Sequence, residues 1–597
     1  MAALPAFFRG RAAHTLSDVI VDTLLDWGVD TIFGLPGDGI NGVFEALRKK
    51  QERIRFIQTR HEEAAAFMAA AHAKYTGRLG VCIATSGPGA IHLLNGLYDA
   101  KLDQAPVLAI TGQTYSDLKG SSYQQEVNLL QLFSDVAGYN EAINTAGQAE
   151  MVTDLACRHA LGRSNVSHIN IPVDVQDLPP TEKPSPMKPA RTHTSAVAAH
   201  YVSVPCEADL RRAADLLNRG RRIVILAGAG AVHARQELIG LGERLGAPIV
   251  KALLGKAAIP DDHPLNAGGL GLIGTAPAEE AMEECDTLLL IGTSFPYMQW
   301  LPEKRKDVAG IQIELRPERL GMRFPIAAGL VGDSAATLRL LLPMIKKHSD
   351  RGLLKKTQKR MKEWNELMRL RGTDQRRPMR PEVVARTLSE VAPRDAVIAC
   401  DCGTVTTWLA RQFSIRGEQK WGMCGTLATM APGLPYGVAA AAAFPNRRAI
   451  AFVGDGAFTM LMGEFATAVK YQLPLTVVLI KNNTLGQIKW EQMVFLGNPE
   501  YQCELQPIDF AAYARACGGI GFTVEDPGEI RSVLLKAIAS PRPALVECLT
   551  DPFEPPMPAR ATARQGVRLA ESLARGEPNR GRIALTIFRD KVKDLEA

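Results

Sequence analysis

Two short apolar runs, each giving out into small and polar residues, constrain this chain more than any other feature. Ile450-Ala-Phe-Val leads into Gly454-Asp455-Gly456-Ala457, and Val477-Val-Leu-Ile-Lys leads into Asn482-Asn483-Thr484. Each predicts a buried strand ending in a loop. Twenty-five residues separate Gly456 from Asn482, which leaves room for a helix over about Met460 to Tyr471 and a return strand, as a parallel pair requires. That crossover sets Asp455 beside the asparagines at the carboxyl edge of a parallel sheet, where open α/β sheets take their ligands. The glycines let a backbone approach a ligand closely, and Asp and Asn offer the oxygens that a hard cation such as Mg2+ prefers. Added to a helix N-terminus, such a loop suits a diphosphate.

The flanking sequence repeats the same alternation. From Leu16 it predicts helix (to Trp27), strand (Thr31–Gly34), helix (Asn41–Lys50), strand (Arg55–Gln58), helix (Glu62–Thr76) and strand (Gly80–Ala84). Helices between strands mean parallel sheets covered on both faces. Further such units open at Arg222-Ile-Val-Ile-Leu-Ala-Gly228 and at Ala396-Val-Ile-Ala-Cys-Asp401. The expected fold class is therefore α/β, with three doubly wound parallel-sheet domains at 12–178, 201–343 and 381–550. Linkers are expected at 179–200, which is rich in proline, and at 344–380, which is basic and reads as a solvated helix. The tail, 551–597, holds a helix over Ala563–Ala574 whose apolar face is expected to pack on the protein.

A length of 597 residues agrees with about three or four domains. A net charge of +6 is mild for that length and argues against nucleic acid as the main partner. The ten cysteines form no Cys-x-x-Cys pair, so a reducing cytoplasm fits better than a disulfide framework or a zinc site. No apolar run reaches the ~18 residues of a membrane span, and Met1–Gly10 reads as too short and too proline-interrupted for a signal peptide.

The paired stretches resemble the signature of the thiamine-diphosphate-dependent enzymes, in which an Asp, an Asn and a main-chain carbonyl hold the Mg2+ that clamps the diphosphate. The resemblance runs from Leu16 to about Asp551 and is strongest to the pyruvate oxidase and quinone-linked pyruvate dehydrogenase branch, itself related to the acetolactate synthase large subunit. It implies Asp455, Asn482 and Thr484 as metal ligands; a register shifted by one would use Asn483 and Leu485. Gly454, Gly456 and Ala457, with Gly403 and Thr404 from Asp401-Cys-Gly403-Thr404, would meet the diphosphate. Thr426-Leu-Ala428-Thr-Met430-Ala-Pro-Gly433 resembles the segment that folds the cofactor, with Met430 wedged between its rings and Ala428 accepting from its amino group. In Arg60-His61-Glu62-Glu63, Glu62 matches the acid–base carboxyl on the pyrimidine, whereas Glu63 reads as favourable charge at a helix start. Pro88 and His92 match the loop against the pyrimidine, and Gln125 the glutamine facing the reacting carbon. Because the family joins the Glu62 half to the diphosphate half across a subunit boundary, a homodimer or homotetramer is implied.

The middle domain resembles the FAD domain of this branch. Gly228-Ala-Gly230 lacks the third glycine of a dinucleotide fingerprint, which leaves an empty Rossmann-like unit open as an alternative. Lys251-Ala-Leu-Leu-Gly255-Lys, Gly292-Thr293, Glu314 and Asp333 match segments around FAD. The implied reaction is oxidative decarboxylation of a 2-oxo acid, above all pyruvate, to acetate or acetyl phosphate and CO2, with electrons passing through FAD to a quinone or oxygen. A quinone acceptor would bring a cytoplasmic protein into peripheral contact with the inner face of a membrane. Glu491 stands where oxidases carry Glu and synthases Trp, and His92 where synthases tend to carry Asn. Gln124 and Gln487 replace aromatic residues of the oxidases and polarise the pocket; with Ile488 they are the expected substrate contacts. Alternatives are an acetolactate synthase-type carboligase, a non-oxidative decarboxylase, and a cofactor-binding protein without turnover, against which the intact Glu62 speaks.

Overall fold

Eighteen strands, each parallel to its neighbours, form three six-stranded sheets in the computed structural model, which describes residues 14–180, 196, 202–560 and 562–595. Most of the expected linker at 179–200 and all of Met1–Gly10 lie outside the described residues. The first sheet contains β1 (Thr31–Gly34), β2 (Arg55–Gln58), β3 (Gly80–Ala84), β4 (Val107–Gln113), β5 (Tyr139–Ala142) and β6 (Val166–Pro172), ordered β2-β1-β3-β4-β6-β5. The second contains β7 (Ile223–Ala227), β8 (Ile249–Lys251), β9 (Asn266–Gly269), β10 (Thr287–Ile291), β11 (Ala309–Glu314) and β12 (Ala328–Val331), ordered β12-β11-β10-β7-β8-β9. The third contains β13 (Val397–Cys400), β14 (Lys420–Gly422), β15 (Ala449–Gly454), β16 (Leu475–Lys481), β17 (Ile520–Val524) and β18 (Ala544–Leu549), ordered β14-β13-β15-β16-β18-β17.

The first and third sheets thus share one topology, and each reverses its strand order between its first and third strands. The second reverses between β7 and β10. Loops diverge at such reversals and leave a crevice for a ligand. Strands β3, β4, β6, β7 and β10 are buried along their whole length, as helices on both faces demand.

The helices that bear on the site are α1 (Glu62–Thr76), α2 (Leu94–Leu102), α3 (Gly352–Gly372), α4 (Thr404–Gln412), α5 (Gly433–Ala443), α6 (Asp455–Met460), α7 (Glu464–Lys470), α8 (Gly486–Trp490), α9 (Ala563–Ala574) and α10 (Arg580–Leu595). The chain forms two compact units. One comprises Met1–Ala199, Cys424–Phe444 and Leu461–Leu473 and holds the first sheet; the other comprises His200–Met423, Pro445–Met460 and Pro474–Ala597 and holds the second and third sheets. In the first unit, α1 and α5 are alanine-rich and buried nearly all round, the pattern of helices packed on every side. Among the described residues no helix is long and apolar enough to cross a membrane.

Two local expectations need correction, and the tail adds a helix to the one expected. The single helix read over Met460–Tyr471 is two, α6 and α7, and α6 begins at Asp455 itself, directly off β15. The reason is local: Asp455 Oδ1 accepts from the amide of Gly456 at 2.9 Å, so the carboxylate starts the helix instead of ending a loop. Much of the basic stretch 344–380 is α3, a 21-residue helix with Leu353, Leu354, Met361, Trp364 and Met368 buried. Its basic face is partly neutralised, since Lys356 and Arg360 both pair with Glu284 at 2.7 and 2.8 Å. Beyond α9 the tail forms a second helix, α10, and Ile583 from it joins Leu569 and Leu573 of α9 around Trp490, Met493 and Val494.

Candidate functional site

The expected residues gather in two constellations, one in each unit. In the first unit Glu62 opens α1 with only 7% of its surface exposed, and its Oε2 lies 2.9 Å from Nδ1 of His92. His61 caps the same helix, its Nδ1 accepting from the amide of Glu63 at 3.2 Å, and its ring stacks on that of His92 with centroids 4.4 Å apart. Gly89 keeps this place open: a Cβ there would stand 3.1 Å from Glu62 Oε1 and closer still to Thr85. Gly87 has φ +58 and leads into a short helix, Pro88–His92, with Pro88 at its first position, where a missing N–H does no harm. Gln125 packs against Gly87 with φ +62, and its Oε1 accepts from Ser86 Oγ at 2.9 Å. The structure therefore brings Glu62, Pro88, His92 and Gln125 together, with Gln124 exposed beside them.

Met430 and Ala428 lie on a strained segment of the same unit. Ala428 has φ +56 and Ala431 φ +93, conformations that cost a side-chain-bearing residue energy and gather at functional places. Asn95 Nδ2 donates to Glu63 Oε1 at 2.7 Å and reaches Thr429 Oγ1 at 3.5 Å. Glu63 is therefore an anchor between the start of α1 and the Met430 segment, a role that the sequence reading missed. Asp103 holds the same segment from the other side, accepting from the amides of Gly425 and Thr426 at 3.0 Å each. Lys74 of α1 lies 2.7 Å from Asp99, from Asp103 and from the Tyr436 hydroxyl of α5. Burial alone would lower the Lys74 ammonium, but the two carboxylates carry it well above its usual value.

Glu464, also unforeseen, is 1% exposed at the start of α7. Its Oε1 accepts from the amides of Arg60 and His61 at 2.8 and 3.1 Å, and its Oε2 accepts from Thr467 Oγ1 at 2.8 Å. Burial outweighs these donors and pushes its carboxyl up to about 7. The one signal in the sequence was a charge among apolar neighbours, in Leu461-Met-Gly-Glu464-Phe.

The second unit holds the metal-type cluster at the reversal between β13 and β15. Gly403 has φ +115, precedes α4, and has open space where a Cβ would stand. Thr404 and Asn482 both approach Gly486, within 3.2 and 3.4 Å of the position of a Cβ there. Gly454, Gly456 and Ala457 run from β15 into α6. Asp455, 5% exposed, accepts on Oδ2 from the amides of Asn482 and Asn483 at 3.0 and 2.6 Å. Burial raises its carboxyl despite these donors, and no cationic side chain pairs with it among the described residues. Asn482 Oδ1 accepts from the amide of Thr484 at 3.2 Å, and the buried Thr484 Oγ1 has no partner among the described residues. A buried carboxylate without a counter-charge, flanked by amide and hydroxyl oxygens, fits a hard divalent cation. On α8, Gln487 Nε2 donates to Glu491 Oε1 at 3.0 Å, where Glu491 opens a single π-helical turn, and Ile488 is 45% exposed.

At the second sheet every residue expected against FAD has an internal role. A Cβ on Gly228 would strike the carbonyl of Gly292, and Gly230 and Gly292 (φ +57) press on each other, so these glycines permit the two loops to pack. Thr293 is part of that packing. Glu314, 7% exposed, accepts on Oε1 from the amide of Leu315 at 3.0 Å, and burial raises its carboxyl. Asp333 caps the helix Ser334–Leu341 through Ala336 and pairs with His233 at 2.7 Å.

Comparison with known proteins gives three matches along the chain. Residues 14–132 match the thiamine pyrophosphate enzyme N-terminal TPP binding domain, 210–341 the central domain, and 401–548 the C-terminal TPP binding domain. A Bacillus subtilis protein, YdaP, described as thiamine pyrophosphate-containing, is 42% identical over 93% of this chain and 94% of its own length. The pyruvate oxidase of Lactiplantibacillus plantarum is 30% identical over 90% of this chain and 89% of its own. An acetolactate synthase of Mycobacterium bovis is 29% identical over 94% of this chain and 92% of its own.

Proposed function

The chain belongs to the thiamine pyrophosphate enzyme family, and from that premise we propose that it oxidatively decarboxylates a 2-oxo acid, with pyruvate as substrate, acetate and CO2 as products, and FAD as the internal electron acceptor. Bound thiamine diphosphate would supply the nucleophilic carbon and the electron sink for loss of CO2. Asp455, Asn482 and Thr484 would hold Mg2+, and Gly403, Thr404, Gly454, Gly456 and Ala457 the diphosphate. Ala428 and Met430 would set the folded shape of the cofactor, with Pro88 and His92 against its pyrimidine. Glu62 would hold and return a proton at the pyrimidine nitrogen, a task suited to a carboxyl shut away from water. Gln125 and Glu491 would face the reacting carbon, and Gln124, Gln487 and Ile488 would contact the substrate. Gly228, Gly230, Gly292, Thr293, Glu314 and Asp333 would receive FAD. A second copy of the chain would bring the Glu62 half of one protomer to the Asp455 half of its partner.

The observation that supports the oxidative reading is Glu491, which stands one helical turn beyond the cluster of Asp455, Asn482 and Gly486 at the position where the oxidases carry Glu. The 30% identity to a protein named pyruvate oxidase supports it. The test is anaerobic mixing of the purified protein, supplied with thiamine diphosphate, Mg2+ and FAD, with pyruvate. Bleaching of the flavin with release of acetate and CO2 is expected. Acetolactate formed over an oxidised flavin would replace this reading with carboligation, and acetaldehyde with simple decarboxylation. Recovery of electrons by a quinone or by oxygen after bleaching identifies the acceptor.

A further inference from the structure

Within the second unit a cleft of about 790 Å3 opens between α3, the loops after β8 and β9, and the end of α4. Pockets of this size enclose cofactor-sized molecules. None of the residues proposed for thiamine diphosphate or Mg2+ lines it, nor do Gly228, Gly230, Gly292, Thr293, Glu314 or Asp333. It shares with the segments compared to FAD domains only Lys251, Ala252, Leu253 and Lys256.

Its chemistry is cationic. Seven lysine and arginine side chains line it against three carboxylates, with Arg369 paired to Glu366 and Arg386 to Glu390 just outside the lining. Lys251 and Lys256 share the single carboxylate of Asp261, which leaves that trio one positive charge in excess. The half-buried Arg411 donates only to main-chain oxygens: those of Leu272 and Gly274 at 3.0 Å each, Ile273 at 3.3 Å and Met557 at 2.6 Å. Burial, with Arg371 nearby, brings its guanidinium down to about 10, the sign of a cation short of negative charge. Arg416 Nε and Gln412 Oε1 have no partner among the described residues, although Gln412 is 4% exposed. Trp364 and Met361 form an apolar wall, and the Arg411 guanidinium lies 5.9 Å from the centre of a Trp364 ring. Lys362 and Arg369 stand exposed at the rim.

We infer that this cleft is a ligand site for a nucleoside di- or triphosphate, with the phosphates against the lysine and arginine floor and the base along Trp364. Arginine forks match phosphate oxygens, and an aromatic wall takes a flat ring.

The test is calorimetric titration of ADP into the full-length protein carrying thiamine diphosphate and Mg2+, repeated with FAD present and with inorganic pyrophosphate as the ligand. One ADP per chain is expected, held more tightly than pyrophosphate and not displaced by FAD. The rim variant Lys362→Glu/Arg369→Glu, which changes only exposed side chains, is expected to weaken ADP at least about tenfold while its affinity for thiamine diphosphate stays that of the parent. Absence of ADP binding, displacement of ADP by FAD, equal affinity for pyrophosphate, or an unchanged affinity in the rim variant would each overturn the assignment. Failure of the thiamine reading would show separately, as loss of thiamine diphosphate binding with the ADP result intact.

Discussion

The Glu62 carboxylate faces the His92 imidazole at 2.9 Å across a turn that Gly89 keeps free of side chains. Three local devices produce this meeting: the His61 cap that starts α1, the left-handed Gly87 ahead of Pro88, and the missing Cβ at Gly89. The carboxyl is thereby buried on the protein side and met by an exposed histidine on the other.

Replacing Glu62 by Gln keeps the shape and a hydrogen-bond partner for His92 but removes the proton carrier. Turnover of the 2-oxo acid is expected to fall about 100- to 10,000-fold, with thiamine diphosphate affinity changed only a few-fold. Steady-state rates beside calorimetric cofactor binding check this, and a variant of near-parental rate would remove Glu62 from the acid–base role.

Asp455→Asn is expected to abolish Mg2+-dependent binding of thiamine diphosphate while leaving the protein without cofactors folded. The neutral amide removes a buried charge but turns its Nδ2 toward an N–H that the carboxylate had accepted. Melting temperatures with and without Mg2+ and cofactor decide it: the parent should gain and the variant should not.

Glu464 makes the first unit sensitive to pH. Its folded-state value, about 7, lies above the ordinary 4.5, so folding favours the protonated form. The stabilisation is full below about pH 4.5 and is lost as pH rises through about 7, by about 3 kcal/mol. Denaturant unfolding across that window should show the loss in the parent and a flatter profile in Glu464→Gln, whose side-chain oxygen can still accept from Arg60 and His61. Parallel profiles would show that Glu464 is not the group responsible.

Lys74→Met would strand Asp99 and Asp103 without their shared cation. Removing one partner of a buried ion cluster costs about 3–5 kcal/mol, and adding Asp99→Asn should recover part of that loss. Because Asp103 also holds Gly425 and Thr426, thiamine diphosphate binding should weaken along with stability. Chemical denaturation and cofactor titration on both variants test the two effects separately.

What the sequence determined by itself was the α/β class, the three parallel sheets, and many element limits; β1, β2, β3, α1 and α9 begin and end where the apolar runs and helical patterns predict. Strands buried on both faces leave unbroken apolar runs between turn residues, and Asp455, Asn482 and Thr484 sit a fixed crossover apart, so these features are legible in one dimension. Tertiary structure alone decided that Glu464 would cap the turn at Arg60 and His61 from 404 positions away, that Glu63 would anchor the Met430 segment through Asn95, and that a cationic cleft would open beside α3. Those outcomes depend on which polar groups are taken out of water together. Burial of that kind is a property of packed surfaces, and no local pattern of residues records it.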